Sequence, residues 1–517
     1  MLLFVAKKIS KIERLIMGSG SNSEIFTIVN DYSAKFNYEF PDTAIILAAG
    51  HGKRIKSQTS KMLHKIWGVP TVLRVFEACG RGIEKLNTIV VVGIKAEDVT
   101  RVVGKRKDTL FAYQAEQNGT GHAVQVALEK YDTKKYKGSV FVLPGDMGLI
   151  DADTISQFRK NFVESGADMM VLTGLYEGNY IENYYGRIIR VKEKDINGVP
   201  SLNDFRKVIE IMEYKDILNL PEEKPYVALY NGKQYSYTRD ELLKNNEFNS
   251  GVYVFRAEHL ARLINNIESN NVQKEIYITD LISIFNRNGL TVAAVSPKEQ
   301  YVLMGFNNKS VLKEMDALAR HNAYEKIKDI IEIDDPDDFF IDDSVIDSII
   351  EMDKLGRPLD IKVGKGAYIS KGAKLNYNLN IGKNVFIDAD VTFGESVEIK
   401  ENVHLSAFEG QKINIGAGTE IFYGDIIKGA VTIGDNCTIE SGVNITGSTE
   451  FPAAIGSNVT IKGNSYIFGS KIGNDFLIER CVFINKKVEK PAQFTGGVFH
   501  IKNFMPHPEG VEAIKEL

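Results

Sequence analysis

Cysteine is scarce in this 517-residue chain: Cys79, Cys437 and Cys481 lie far apart and form no CxxC pair. That speaks against a disulfide framework and a cysteine zinc site, and it fits a reducing, cytoplasmic setting. No run of eighteen apolar residues occurs, so no membrane-spanning helix is expected. The opening MLLFVAKKISK has an apolar stretch too short for a signal peptide, with its lysines on the wrong side, so an unexported soluble protein is expected. An excess of one charge is missing too. With 68 Asp and Glu against 63 Lys and Arg, the formal net charge of -5 creates no strong field and gives no support to a nucleic-acid partner.

What is present is ordinary for a globular protein: 44% hydrophobic and 25% charged residues, in a chain too long for one core. Residues 1–41 carry weak helical periodicity (Ile9, Ile12, Leu15, Ile16, then Ile25, Ile28, Val29 after GSGSNS) and predict two short helices. From Thr43 the texture alternates between strand and helix: AIIL, TVLRVFEACGRGI, TIVVVG, HAVQVALEKY, SVFVLPGD. Short apolar strands separated by amphipathic helices predict a parallel α/β sheet covered on both faces. A long connector helix follows after about residue 308, where Leu312, Met315, Ala319 and Tyr324 recur near helical spacing.

Beyond it aliphatic residues recur at every sixth position. They run from Val363, Ile369, Leu375 and Ile381 through Ile415, Ile421 and Ile427 to Ile472, Ile478 and Ile484. That period suits neither a helix nor a simple alternating strand; it is the hexapeptide signature of a parallel β-helix. Glycines directly after several of these positions, such as Gly364, Gly382 and Gly416, are expected at its tight corners. Interruptions at 406–414 and 446–454 predict extruded loops. The acidic run DDPDDFFIDD at 334–343 reads as a solvated linker before the solenoid.

The candidate chemistry lies where the first strand ends, in LAAGHGKR at 47–54, with Lys61 following in SKMLHKIWGVP. In open α/β sheets, ligands sit outside the carboxyl ends of the strands. Glycines at 50 and 52 let backbone N–H groups approach phosphate oxygens, and Arg54 and Lys61 add positive charge, which points to a polyphosphate. A plain glycine turn with surface cations is the alternative. No GK[ST] closes a P-loop, and Ile55 stands where a dinucleotide fingerprint needs a small residue. YQAEQNGTGHA at 113–123 and LPGDMGLI at 143–150 fall at neighbouring strand ends, with Asp146 placed to hold a divalent cation or, alternatively, to cap a turn.

These stretches, followed in order by YYGRIIR, IEIMEYKD, FNSGVYVF, EIYITDLI and GFNN, resemble the nucleotidyltransferase half of the bacterial bifunctional N-acetylglucosamine-1-phosphate uridylyltransferase/glucosamine-1-phosphate acetyltransferase family. The resemblance covers about residues 43–308. It implies a Rossmann-like α/β nucleotidyltransferase with a mixed sheet, followed by a left-handed parallel β-helix of hexapeptide repeats. It implies UTP and a sugar 1-phosphate as substrates, Mg2+ as cofactor and a homotrimer built through the β-helix. By the same resemblance, Arg54 and Lys61 contact the UTP phosphates, and the Leu47, Ala48, Ala49, Gly50 and Gly52 loop holds the nucleotide. Gln114, Gly119 and Thr120 read the uracil edge, Asp146 and Asn307 ligate Mg2+, and Gly186, Glu213 and Asn249 bind N-acetylglucosamine. The implied segments are a helical extension 1–41, the nucleotidyltransferase domain 42–308, connector helix and acidic linker 309–360, β-helix 361–490 and a tail 491–517.

The sequence also departs from the family. Ser60 stands where proline usually precedes the lysine, and Pro144 replaces a polar or aromatic residue ahead of Gly-Asp. An insertion between Glu213 and Asn249 includes ALYNGKQYSYT, a predicted hairpin expected to lid the sugar pocket. The family's GHxxYLGD-like and NYDG-like acetyltransferase stretches are missing, and His404 and His500 lie outside any matching context, so acetyl transfer is expected to be lost. His64 and His122 are read as packing or hydrogen-bonding residues.

Overall fold

A computed structural model describes residues 24–50 and 52–503. Its contacts divide the chain into two compact units, Met1–Met315 and Asp316–Leu517. Of the two helices expected in 1–41, the first lies outside the described residues, and the second spans residues 24–32. It is tied to the edge of the central sheet, with Ala34 N donating to Thr109 O at 2.7 Å and Phe111 N to Ser33 Oγ at 2.9 Å. An otherwise open strand edge is covered.

The first unit is built on a mixed nine-stranded sheet. Its strands are β1 (Asp42–Ala48), β2 (Leu86–Val92), β3 (Thr109–Tyr113), β4 (Ser139–Pro144), β5 (Met169–Leu175), β6 (Arg187–Arg190), β7 (Val208–Met212), β8 (Glu247–Arg256) and β9 (Val292–Val295). The main path runs β9-β5-β8-β4-β1-β2-β3, with β8 antiparallel to both neighbours and β6 and β7 attached beside it. Because β1 to β4 are parallel, Ala48 lies opposite Val92, Val92 opposite Tyr113, and Leu47 opposite Pro144. Four loops therefore leave from one sheet edge. The strands read as continuous apolar runs because both faces are covered. Helices Thr71–Gly82 and Ala152–Ser165 pack on one face, and Thr120–Leu128 and Asp280–Arg287 on the other.

The insertion forms the expected hairpin, Tyr226–Tyr230 with Lys233–Tyr237. Asn231 and Gly232 both adopt positive φ, 46° and 74°, the two-residue turn that matches strand twist. Ala228, Tyr230, Tyr235 and Tyr237 bury themselves with Ile189, Val191, Ile209 and Ile217 in a satellite core, so the hairpin buttresses β6 and β7.

The second unit is a left-handed β-helix of three parallel ladders, with nine, eight and six strands. The hexapeptide positions point inward: Val363, Ile381, Ile439 and Ile461 are at most 1% exposed. Burying each such side chain contributes about 1.5–3 kcal/mol. Ile484 is the exception, at 51% exposure. The last coils are shorter, so Phe483 rather than Ile484 pairs with Ile467, and the one-residue offset turns Ile484 outward. The glycines after the inward residues do not make the corners. A Cβ on Gly416 would lie 2.4 Å from the Gly434 carbonyl carbon, so these glycines allow close coil-to-coil approach. Left-handed corners are supplied instead by asparagines, including Asn384, Asn402 and Asn436.

The acidic run is not a linker. Glu332–Ile333 and Phe340–Ile341 pair with Lys362–Val363 and Tyr368–Ile369, so 334–343 belongs to the first coil, with Phe339 and Ile341 buried. At the other end Phe499–Lys502 pairs with Phe476–Glu479, which carries the ladder past residue 490. Residues 504–517 of the expected tail lie outside the described residues.

Candidate active site

The end of β1 delivers Leu47, Ala48, Ala49 and Gly50 to the sheet edge, where the chain turns at Gly52 into the short helix Lys53–Ile55. Gly52 has φ 60°, and a Cβ there would meet Lys61 Cβ at 2.8 Å. This glycine gives room to the lysine. Around Gly50, among the described residues, an ideal Cβ would meet only Met62 Cε at 4.0 Å, so its surroundings are open. Ile55 anchors the turn in the core at 2% exposure, and Arg54 beside it is exposed.

Lys61 occupies the centre of the constellation. Its ammonium ion-pairs with Asp146 and donates to Asn307 Oδ1 at 3.0 Å. The Lys61 and Asp146 side chains keep only 11% and 15% exposure. Nζ also lies 5.3 Å from the Phe306 ring centroid, and His64 meets the same ring edge-on at 6.0 Å. Burial, with Lys309 adding, lowers the His64 pKa, and its Nε2 is buried without a partner among the described residues. Ser60, ahead of Lys61, is 7% exposed, and its hydroxyl likewise has no partner among the described residues. Pro144 packs toward the bulge of β8, where a Cβ on Gly251 would lie 3.0 Å from its Cγ.

Two further clusters flank this centre. At the end of β3, Gln114 is 3% exposed and donates through Nε2 to Gly119 O at 3.2 Å. Gly119 has φ 107°, and a Cβ there would strike Ile276 O at 2.5 Å, so only glycine brings this loop so close. Thr120 Oγ1 accepts from Ile278 N at 3.2 Å. His122 Nδ1 lies 3.0 Å from Glu116 O and 3.2 Å from Gln114 Nε2. The sequence reading passed over Gln117. Its amide nitrogen and Ala49 O lie 3.0 Å and 2.7 Å from an ideal Cβ on Gly93, so it flanks the loop after β1. The signal was its place three residues after Gln114 in one loop.

The other cluster holds Gly186, Glu213 and Asn249. Asn249 N donates to Gly186 O at 2.9 Å, and a Cβ on Gly186 would lie 3.1 Å from Glu213 Oε1. Asn249 Oδ1 already accepts from Gly251 N and Tyr253 Oη, each at 2.9 Å, so its amide N–H groups are what it can offer a ligand. Burial raises the Glu213 carboxyl to about 7, with Asp216 and Asp280 adding and Arg187 opposing. Tyr185 links the clusters: its pKa is raised by burial and then by Asp146, and its hydroxyl bonds the Gly305 backbone.

Of the expected residues, Lys61 thus touches both Asp146 and Asn307, Gly186, Glu213 and Asn249 form a second group, and Gln114, Gly119 and Thr120 a third. Arg54 is exposed on its turn, as are Gly50, Thr120 and Asn307. The edge thus presents the Arg54 and Lys61 cations, and the second group presents a carboxyl group and an amide.

Residues 44–200 match the MobA-like NTP transferase domain. A protein of Caldicellulosiruptor saccharolyticus named bifunctional protein GlmU is 30% identical over 489 residues, covering 86% of this chain and 96% of that protein. The chain belongs to the GlmU family. A second member, from Caldanaerobacter subterraneus subsp. tengcongensis, is 32% identical over 482 residues, covering 87% of this chain and 94% of the relative. A third, from Streptococcus agalactiae, is 29% identical and covers 84% and 90%. The α/β unit is accordingly a nucleotidyltransferase, and as in the GlmU family it precedes a left-handed β-helix. Among the described residues no helix is long and apolar enough to cross a membrane.

Proposed function

We propose that the chain forms UDP-N-acetylglucosamine and pyrophosphate from UTP and N-acetylglucosamine 1-phosphate. The observation that carries this reading is the convergence of Lys61, Asp146 and Asn307 at the edge where four parallel-strand loops meet. A phosphate oxygen of the sugar 1-phosphate attacks the α-phosphorus of UTP, the bond to the β-phosphate oxygen breaks, and pyrophosphate leaves. Both reactants are anions, so the protein has to align them and offset their charge. Arg54 and Lys61 supply cations at the phosphates. Gln114, Gly119 and Thr120 hold the base, and Gly186, Glu213 and Asn249 orient the sugar. No general base is needed, since the attacking phosphate is already ionised.

Asp146 and Asn307 supply hard oxygen donors of the kind Mg2+ takes, and in this structure the two share the Lys61 ammonium as their cation. Among the described residues no group of three His, Cys, Asp or Glu side chains is gathered for a metal, which fits an ion that is held largely by phosphate and water. When bound, Mg2+ neutralises charge on the transferring phosphates.

The β-helix, on this reading, assembles a homotrimer and no longer transfers acetyl groups. The missing acetyltransferase stretches support the loss, and His404 stacks on Phe386 at 4.8 Å in a ladder continued by Tyr368 and Phe340. The three buried, unpaired thiols accord with a reducing cytoplasm.

The test is pyrophosphate release from a panel of nucleoside triphosphates and sugar 1-phosphates with and without Mg2+, alongside thiol release from acetyl-CoA. Mg2+-dependent release with UTP and N-acetylglucosamine 1-phosphate, and no thiol, is the expected result. Preference for another pair would overturn the substrate assignment, and thiol release would overturn the loss of acetyl transfer.

A further inference from the structure

Arg187 is a fully buried arginine next to Gly186, and every acceptor it reaches is neutral. One guanidinium nitrogen donates to Asn183 Oδ1 at 2.9 Å and also to Tyr185 O; the other donates to Asn183 O at 2.7 Å and to Leu243 O at 3.4 Å. The guanidinium carbon lies 5.9 Å from the ring centroid of Tyr214, the residue after Glu213. Arg187 Nε and Asn183 Nδ2 are buried and have no partner among the described residues. Burying a guanidinium against carbonyls, with donors left over, is a poor arrangement for stability alone.

We infer that Arg187 is a positioning residue for the sugar end of the site: its guanidinium fixes the turn 183–187 so that Gly186 stands against Glu213 and Asn249. The turn has no regular ladder of its own before β6 begins at Arg187. Its carbonyls at Asn183 and Tyr185 are held by the fork, and the ring of Tyr185 stacks on Phe248 at 4.5 Å. From there the contact passes directly to substrate-facing groups, because Gly186 O receives Asn249 N and Gly186 Cα faces Glu213 Oε1. The bond to Leu243 O, at the end of helix Arg239–Lys244, connects the insertion to the same turn. The insertion thereby acts on the sugar wall through Arg187. Lysine cannot replace the fork, because its point charge reaches fewer of these acceptors at once.

This inference rests on the reading of Gly186, Glu213 and Asn249 as the sugar end. The test measures, by calorimetry on the full chain, the affinities for UDP-N-acetylglucosamine and for UDP in wild type, Arg187→Lys, Arg187→Met and Asn183→Leu. Expected is a loss of about tenfold or more for the sugar nucleotide, with UDP affinity unchanged, since small misplacements of a binding wall carry costs on that scale. Should Arg187→Met fail to fold, Arg187→Lys and Asn183→Leu provide the comparison, and Asn183→Asp, which retains both acceptor oxygens, should keep wild-type sugar affinity. Equal weakening of both ligands, or no change in either, would overturn the role of Arg187. A wild type that binds the sugar nucleotide no better than UDP would remove the sugar-end reading itself, and this inference with it.

Discussion

Lys61 Nζ donates to Asn307 Oδ1 at 3.0 Å across 246 residues of sequence, and the same ammonium pairs with Asp146. The loop after β1, the loop after β4 and the GFNN segment are thus joined by one cation. Replacing Lys61 by methionine leaves a carboxylate at 15% exposure without its partner. Uridylyl transfer should fall by roughly a hundredfold or more, the scale of removing one pre-placed charge at a transition state. Stability should fall by about 1–3 kcal/mol. Steady-state kinetics and thermal unfolding check the two effects separately, and wild-type turnover would contradict the first.

Gly52 should not tolerate alanine. Its φ of 60° and the 2.8 Å approach of Lys61 Cβ mean that a methyl group must displace either the turn or the lysine. Gly52→Ala is expected to cost about 1 kcal/mol or more in stability. The KM for UTP should rise more than that for the sugar phosphate. Gly50→Ala, in open surroundings, is the control, with a smaller effect on unfolding.

Glu213 sets an expected pH dependence. Burial raises its carboxyl to about 7, helped by Asp216 and Asp280 and opposed by Arg187. Above that pH it is an anionic acceptor for sugar hydroxyls; below it the proton removes that acceptor. The kcat/KM for the sugar phosphate should therefore fall as pH drops through about 7, and Glu213→Gln should flatten that limb while lowering the plateau. A profile unchanged in Glu213→Gln would assign the limb to another group.

Asp425 carries a stability prediction for the β-helix. It is fully buried, in register with Val403 and Val443 on the neighbouring coils, its Oδ1 accepts from Val443 N at 2.8 Å, and its Oδ2 has no partner among the described residues. Burial pushes its carboxyl far above the ordinary aspartate range, to about 8, while backbone donors partly offset this. A raised folded-state pKa means the neutral acid is favoured on folding. That stabilisation is complete below the unfolded value of about 4 and is lost as pH rises through about 8. Asp425→Asn keeps the acceptor for Val443 and removes the titration. It should exceed wild type by on the order of 3 kcal/mol near pH 9. Parallel melting curves across pH would contradict this.

Periodicity carried most of the architecture. The alternating strands and helices after Thr43 and the six-residue repeat both report local burial, and local burial is what periodicity records. The Asn231-Gly232 turn was legible for the same reason, since two successive positive-φ positions favour that pair. Ile484 was misread because a shortened coil shifts register without changing composition, and 334–343 was misread because acidic residues masked the buried Phe339 and Ile341. The contact of Lys61 with Asn307 depends on chain topology, so spacing could not supply it; the family resemblance paired Asn307 with Asp146 and placed Lys61 on the phosphates. Arg187 and Gln117 were missed because their meaning lies in what they touch.

The central claim is that Lys61, Asp146 and Asn307 form the charge centre for uridylyl transfer. Single-turnover formation of UDP-N-acetylglucosamine by Asp146→Asn, at saturating UTP, sugar phosphate and Mg2+, tests it most directly. The account predicts a loss of roughly a hundredfold or more with the folded circular-dichroism spectrum retained. Transfer at the wild-type rate would contradict it.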